Sequence, residues 1–399
     1  MRAAGLRALA AVFACLALFA SAAGAQEPAL DDLLARAKKR DAAAEYALGM
    51  RAYEGRGLPR NPSQARRLME RAAQRGHLDA MNALGFFLQH GVGAEPDPAK
   101  AREWYQLAAE RGHAGAQVNI GWMQQLGLGG PRDAAAALAW YRKAAAQGRL
   151  EGEMNAAALL EAGGEGLPPD LPAAADNYAR VAAAASAPAE SARASYRLGK
   201  LLDEKRIPAR KDGSALERYL AAARAGLPEA QYDAARLLLA ANKAPEARAA
   251  IDWLEKAAQQ RHAPAQQLLD DAETQYKLAT LLDAAEAVPW LRRAAAQNHP
   301  KARLALALAL EEGSGTARNP AEAAQWYEKA AAADDPEALF RLGLMYDEGR
   351  GVPADSVRSR DAIARAADLG HPGAQERMNR MLGRTLAAPD FADPFKGLR

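Results

Sequence analysis

A repeat of about 36 residues runs through most of this chain and restricts it to an architecture of stacked, similar units. The pairs Trp104-Tyr105 and Trp140-Tyr141 are each followed at the same offset by two alanines. A fixed period between about 20 and 50 residues is typical of solenoids, in which one unit can bury its apolar face only against its neighbours. Nine copies can be aligned on the first aromatic position, which is occupied by Leu68, Trp104, Trp140, Asn177, Arg218, Trp253, Trp290, Trp326 and Ala362.

Each copy has the pattern of two helices. In the copy that opens at Ala338, apolar residues recur three and four positions apart as far as Tyr346, and the Gly-x-Gly turn from Gly349 to Gly351 follows. The Trp-Tyr and Ala-Ala positions then lie in a second helix. Alanine is the strongest helix former, and strand-forming β-branched residues are few. The sequence therefore predicts an all-α solenoid of about nine helix-turn-helix repeats.

Small residues at two recurring positions agree with this interpretation. One position of the first helix is Gly in five copies, which predicts close approach by a neighbouring backbone; these are Gly49, Gly85, Gly121, Gly199 and Gly343. The position after the second helix predicts a left-handed cap. It is occupied by Gly76, Gly112, Gly148, Gly226, Asn298, Asp334 and Gly370.

The combined pattern, Ala-x-x-x-Leu-Gly-x-x-Tyr-x-x-Gly-x-Gly-Val followed by Trp-Tyr-x-x-Ala-Ala-x-x-Gly and His or Asp, resembles the Sel-one-like repeat, a relative of the tetratricopeptide repeat. The resemblance covers residues 44–373 and implies a right-handed, tetratricopeptide-like superhelix with a concave groove. Copies four to seven depart from the pattern, since Asn177 and Arg218 replace the Trp and the Gly-x-Gly turn is missing from copies five to seven. We therefore expect a less regular stretch at residues 152–300.

The two ends of the chain are predicted to lie outside the repeats. Arg2 and Arg7 precede an apolar run over residues 8–20 and a small-residue site at residues 23–25, which is the pattern of a secretory signal peptide over residues 1–25. A membrane anchor is the alternative, but a spanning helix needs about 20 apolar residues. We expect capping helices at residues 26–43 and 374–386 and a flexible tail at residues 387–399.

Cleavage of such a signal peptide would remove Cys15, the only cysteine of the chain. The mature protein would then have neither a disulfide nor a cysteine nucleophile. With a composition rich in Ala and Arg, these features predict export to a bacterial periplasm, with no transmembrane span in the mature chain.

Charge argues against a nucleic-acid partner. Removal of residues 1–25 lowers Lys plus Arg from 52 to 50 against 49 Asp plus Glu, so the net charge falls from +3 to +1. Binding to nucleic acid requires a basic stripe that neutralises phosphates, and no long run of Lys and Arg supplies one.

The sequence offers few groups for chemistry. Five histidines occupy the turn after the second helix, one in each of five copies, so a solenoid would spread them apart instead of gathering them around one metal ion. They are His77, His113, His262, His299 and His371. Motifs of zinc proteases, serine hydrolases and phosphate-binding loops are absent from the sequence. We expect structural histidines, no metal site, no cofactor and no catalytic residue.

The candidate binding residues lie on one stripe of the first helices. Counted from the opening residue of each copy, positions three, seven and ten share a helix face, and in tetratricopeptide relatives this face lines the concave groove. In the first three copies it carries aromatic and amide side chains, which suit a protein interface. The candidates are Tyr46, Met50, Tyr53, Asn82, Phe86, Gln89, Trp122 and Gln125, with Val118 on the same stripe. Alternatively, Phe86 and Trp122 fill space between adjacent first helices.

These features predict a non-enzymatic, exported scaffold or adaptor that holds protein or peptide partners on its concave surface and assembles or regulates an envelope complex. The alternative is an envelope glycan-binding or peptide-binding protein, or a hydrolase, that uses the same groove. A glycoside hydrolase needs two carboxylates for acid and base chemistry, and the stripe of the first three copies holds none.

Overall fold

The computed structural model describes residues 28–386, with side chains as far as residue 381, and its regular secondary structure in that range is entirely α-helical. Two isolated β-bridges, Gly164 with Leu167 and Arg210 with Gly213, also occur there. The predicted signal peptide and the predicted tail at residues 387–399 lie outside the described residues.

The described residues form two compact units that meet in sequence between Ala225 and Gly226. The first unit contains α1 (Leu30–Lys38), α2 (Ala42–Glu54), α3 (Pro62–Gln74), α4 (Leu78–His90), α5 (Pro98–Glu110), α6 (Ala114–Leu126), α7 (Ala134–Ala146), α8 (Leu150–Ala162), α9 (Leu171–Ala182), α10 (Pro188–Asp203) and α11 (Ala215–Arg224). The second contains α12 (Pro228–Ala240), α13 (Ala244–Gln259), α14 (Ala263–Asp270), α15 (Ala272–Leu281), α16 (Ala284–Ala296), α17 (Pro300–Glu312), α18 (Pro320–Ala331), α19 (Pro336–Glu348), α20 (Ser356–Asp368) and α21 (Pro372–Leu386).

Consecutive helices pack against each other as the predicted pairs. In the first unit, repeats one to five are the pairs α2–α3, α4–α5, α6–α7, α8–α9 and α10–α11. In the second unit, repeats six to nine are α12–α13, α15–α16, α17–α18 and α19–α20. The predicted all-α architecture of helix-turn-helix repeats is therefore confirmed.

The irregular spacing near residue 270 comes from one additional short helix. His262 precedes α14 as the other turn histidines precede first helices, but α14 ends at Asp270 after 8 residues. Asp271 then starts α15 by accepting the amide N–H of Thr274 at 2.7 Å. The first helix of repeat seven is therefore α15, and α14 is an additional helix inserted between repeats six and seven.

A buried tyrosine fills the gap between the two helices of a repeat and explains the recurring glycine. Tyr105 is 1% exposed, and a β-carbon on Gly85 would lie 2.7 Å from its ring. The nearest atoms belong to the ring, so the close approach that we predicted for a backbone is made here by an aromatic side chain. Repeats three and five share this arrangement, in Gly121 with Tyr141 and Gly199 with Tyr219.

The left-handed caps are confirmed at the predicted positions. The five glycines have φ angles between 79° and 92°, and Asn298 and Asp334 have φ angles of 67° and 57°. The Gly-x-Gly turns have a further role in stacking. A β-carbon on Gly93 would lie 2.5 Å from the carbonyl oxygen of Pro62, so this turn of repeat two packs directly on the start of α3 in repeat one.

Candidate functional site

The stripe of repeat one consists of three partly exposed side chains on α2, those of Tyr46, Met50 and Tyr53. The ring of Tyr46 stacks on the imidazole of His77 with 4.8 Å between centroids, and burial is the main cause that raises the pKa of Tyr46 to about 12. The ring of Tyr53 lies 4.9 Å from that of Phe87. Both phenol rings are therefore held in place while part of their surface stays accessible.

In repeat two, burial of α4 removes two of the predicted residues from the accessible surface. Asn82 and Phe86 are each only 6% exposed. The carboxamide oxygen of Asn82 accepts a hydrogen bond from Nδ2 of Asn119 at 2.9 Å, and Phe86 belongs to the core of repeats one to three. Phe86 therefore fills space between first helices, which is the alternative that the sequence left open. Gln89 keeps a partly exposed side chain.

Trp122 in repeat three is shared between two parts of the core. Its side chain packs against the buried residues of repeats one to three and against those of repeats three to five, yet it remains partly exposed. Its Nε1 is buried and has no hydrogen-bond partner among the described residues. The ring thus fills space in the core, and its role as a groove residue stays a prediction. On the same helix, Oε1 of Gln125 accepts a hydrogen bond from the hydroxyl of Tyr141 at 2.8 Å.

Position ten of the stripe is acidic in five of the six repeats beyond the third, the exception being Leu239 in repeat six. Our sequence reasoning missed this feature because it was confined to the first three copies. Glu161 of repeat four accepts the hydroxyl of Tyr178 at 2.9 Å. It also pairs with Arg197 at 2.8 Å and with Arg206 at 3.1 Å, both from repeat five. The residue types alone show the trend, since position ten of repeats four, five, seven, eight and nine is occupied by Glu161, Asp203, Asp283, Glu311 and Asp347.

Glu311 in the second unit has the same surroundings as Glu161 in the first. Its side chain is 5% exposed, and the hydroxyl of Tyr327 donates to it at 2.6 Å. Arg350 pairs with it at 2.6 Å and Arg341 at 3.6 Å, both from the next repeat. Burial, together with the bond to Glu311, raises the pKa of Tyr327. Each of these carboxylates is neutralised by arginines and joins one repeat to the next.

Four of the five turn histidines have a structural role that the geometry makes explicit. Nδ1 of His113 accepts the amide N–H of Ala116 at 2.9 Å and so caps α6, while Nε2 lies 3.1 Å from the carboxylate of Asp79 in the preceding repeat. The same two contacts join His299 to Ala302 and Glu273, and His371 to Ala374 and Glu337; His77 caps α4 through Ala80. No group of three metal-binding side chains occurs within the described part of the chain.

Asn177 in repeat four lies beside a cavity. In the sequence this residue is visible only as a departure from the Trp of other copies. In repeat three the corresponding residue, Trp140, is 9% exposed and packs into the core of repeats one to three. Beside Asn177 a cavity of about 430 Å³ opens between α7, α8 and α9, with Ala145, Ala156 and Leu160 in its walls. The replacement of Trp by Asn therefore coincides with open space on the surface of repeats three and four.

None of the helices between residues 28 and 386 has the length and apolar character needed to cross a membrane.

Comparison with protein families matches seven segments of the chain to the Sel1 repeat, and together these segments cover more than half of it. They are residues 42–77, 78–113, 114–148, 228–262, 272–299, 300–335 and 336–371. All seven begin at the first residue of a first helix, so the matches correspond to repeats one to three and six to nine.

Similar solved structures come from three bacteria. A protective antigen of uropathogenic Escherichia coli with an SLR fold is 27% identical over 90% of this chain and 83% of that chain, with a TM-score of 0.38. A Sel1 repeat protein from Oxalobacter formigenes is 24% identical over 90% and 98% of the two chains, with a TM-score of 0.32. An immunity protein from Pseudomonas aeruginosa is 20% identical over 56% and 83%, with a TM-score of 0.29. No curated protein matches the sequence.

Proposed function

The chain belongs to the Sel1 repeat family, and from this premise we propose that it is a non-enzymatic, exported scaffold that holds protein partners and assembles or regulates an envelope complex. Proteins of this family are generally protein–protein interaction scaffolds. The observation that carries the proposal is a set of accessible aromatic, thioether and amide side chains on the first helices of repeats one to three. We call this set the first-helix surface; it comprises Tyr46, Met50, Tyr53, Gln89, Trp122 and Gln125.

The first-helix surface has the chemistry of a protein-binding site. Tyr, Trp and Met are enriched where proteins dock, and a few such side chains supply most of the binding energy. Here the rings are already fixed before a partner arrives, because Tyr46 stacks on His77 and Trp122 packs into the core. A partner therefore meets side chains that lose little conformational entropy on binding.

Export is supported by the pattern of residues 1–25, in which two arginines precede an apolar run and a small-residue cleavage site. The bacterial periplasm is the compartment we propose, from this export pattern together with a composition rich in Ala and Arg.

A hydrolase in the same groove has less support. The stripe carboxylates with the most buried side chains, Glu161 and Glu311, are each held by a tyrosine hydroxyl and by arginines of the next repeat. A general acid or base must instead be free to exchange a proton with a substrate.

The proposal is tested by affinity purification with variants of the first-helix surface. Residues 26–399 are immobilised, incubated with an envelope extract of the source organism, and the retained proteins are identified by mass spectrometry. Trp122→Ala and Met50→Glu should each lose the partner that the unaltered protein retains. Met50→Glu is included because Met50 is only partly buried, so its replacement tests the surface with less disturbance of the core.

Trp253→Ala is the matched control, since Trp253 lies on the second helix of repeat six, away from the first-helix stripe. It should retain the partner. The proposal fails if Met50→Glu keeps a native helical spectrum and still captures the same proteins, or if the immobilised protein retains saccharide and no protein.

A further inference from the structure

We propose that the cavity beside Asn177 is a docking site for an aromatic side chain of a partner protein that carries a carboxylate next to that ring. The site goes beyond the proposed function, because it lies among α7, α8 and α9 and uses none of the residues of the first-helix surface.

The shape of the cavity follows from the repeat itself. Other repeats place a large indole at this position, and those of Trp140 and Trp290 are only 9% and 8% exposed. Asn177 is much smaller, is itself 8% exposed and accepts a hydrogen bond from Arg180. The cavity next to it measures about 430 Å³, within the range of roughly 300–1,000 Å³ that is usual for ligand sites. Its walls include the buried side chains of Ala156 and Leu160, which are 1% and 2% exposed. Half of the lining is polar and consists of Arg142, Glu153, Asp176, Asn177 and Arg180. The space therefore suits a flat ring that also carries a polar group, such as the indole that other repeats have at this position.

The charges around the cavity favour a carboxylate on the ligand. The acidic side chains in its lining are already paired, Glu153 with Arg180 at 2.8 Å and Asp176 with Arg210 at 2.8 Å. Arg142 also lines the cavity, is exposed, and has no hydrogen-bond or ion-pair partner within the described part of the chain. An unpaired guanidinium favours a carboxylate, which it can bind through two parallel hydrogen bonds.

Arg142 also lines a second cavity, of about 560 Å³, which shares Leu160 with the first. Leu138 and Leu167 contribute apolar walls there, and Arg206, which also lines it, is already paired with Glu161 at 3.1 Å. Because Arg142 lines both cavities, we place the carboxylate on a residue adjacent to the aromatic anchor.

The experiment uses the purified protein and a dipeptide probe, N-acetyl-aspartyl-tryptophan amide, followed by ligand-observed NMR and titration calorimetry. We expect saturable binding with a dissociation constant in the millimolar range. Asn177→Trp supplies the residue that other repeats carry at this position, so it should fill the cavity, keep the fold and abolish binding. Asn177→Ala leaves the cavity open and is the matched control that should still bind.

The role of Arg142 is tested with the uncharged probe N-acetyl-asparaginyl-tryptophan amide. Arg142→Gln should weaken binding of the acidic probe by about tenfold, which corresponds to about 1.4 kcal/mol, and should change binding of the uncharged probe much less. The proposal is overturned if the acidic probe does not bind saturably, or if Asn177→Trp has a native helical spectrum and binds it as well as the unaltered protein does.

Discussion

Replacing Gly85 by Ala should destabilise the first unit, whereas the same replacement at the equivalent Gly49 should not. A β-carbon on Gly85 would lie between 2.7 and 3.0 Å from three ring carbons of Tyr105, which is 1% exposed and enclosed by the core. At Gly49 the nearest atom is Cε of Met69, at 2.9 Å, which is the end of a flexible side chain and can turn away. The carbonyl oxygen of Ala65 and Cβ of Leu68 follow at 3.3 Å, where a shift of a few tenths of an ångström is enough.

Two effects of opposite sign set the size of the change. Replacing Gly by Ala inside a helix favours the folded state by about 1 kcal/mol. Forcing an extra carbon into a packed core costs about 1–3 kcal/mol. For Gly85→Ala the second effect applies in full because the ring is rigid, so we expect a net loss of about 0–2 kcal/mol. For Gly49→Ala we expect a change between zero and a gain of about 1 kcal/mol.

The measurement is urea unfolding followed by far-UV circular dichroism, with midpoints compared only where the slopes agree. Gly85→Ala should unfold at a lower urea concentration than Gly49→Ala. Adding Gly85→Ala to the variant Tyr105→Leu should lower the free energy of unfolding less than adding it to the unaltered protein. Equal midpoints for the two single variants would refute the idea that the tyrosine ring determines the size of the residue at this position.

Three further predictions concern polar contacts. Glu311→Gln should lower the free energy of unfolding by about 1–3 kcal/mol, less than the full cost of breaking a buried ion pair, because the side chain of Arg350 is 30% exposed and can be solvated; urea unfolding measures this. His371→Ala should cost about 1 kcal/mol through loss of a helix cap, and His371→Asn, which can also cap, should restore most of it in the same assay. The hydrogen bond from His113 is the main cause that lowers the pKa of Asp79. Asp79 therefore takes up a proton at a higher pH in the unfolded chain than in the folded one. The ionised Asp79 stabilises the fold fully above about pH 4, and this stabilisation disappears as the pH falls. Asp79→Asn should therefore flatten the acid side of a plot of unfolding midpoint against pH; an unchanged slope would contradict the assignment.

The helical architecture could be predicted from the sequence because it depends on local rules. A Gly or an Asn at the end of a second helix is enough to indicate a left-handed cap, and Gly370 and Asn298 have positive φ angles as expected. The period of the apolar residues likewise fixes which face of each helix is buried. Neither inference needs knowledge of distant residues.

The accessibility of the candidate site could not be predicted in the same way. The position of a residue on the stripe shows on which face of its helix the residue lies. It does not show whether side chains of other repeats cover that face. Asn82 and Phe86 are buried because α4 is flanked by large residues of repeats one and three, among them Tyr46 and Trp122. The cavity beside Asn177 is a similar case, because a smaller residue leaves open space only where its surroundings do not collapse.

The histidine caps have a consequence for how such a chain can grow. The contact between two repeats is divided between a histidine that precedes one first helix and an acid at the second residue of the first helix before it, as in His113 with Asp79 and His371 with Glu337. A repeat that carries both residues supplies one half of the contact at each of its ends. Tandem duplication of its coding segment then creates a new boundary whose two halves already match. The chain can gain length in this way without a compensating substitution.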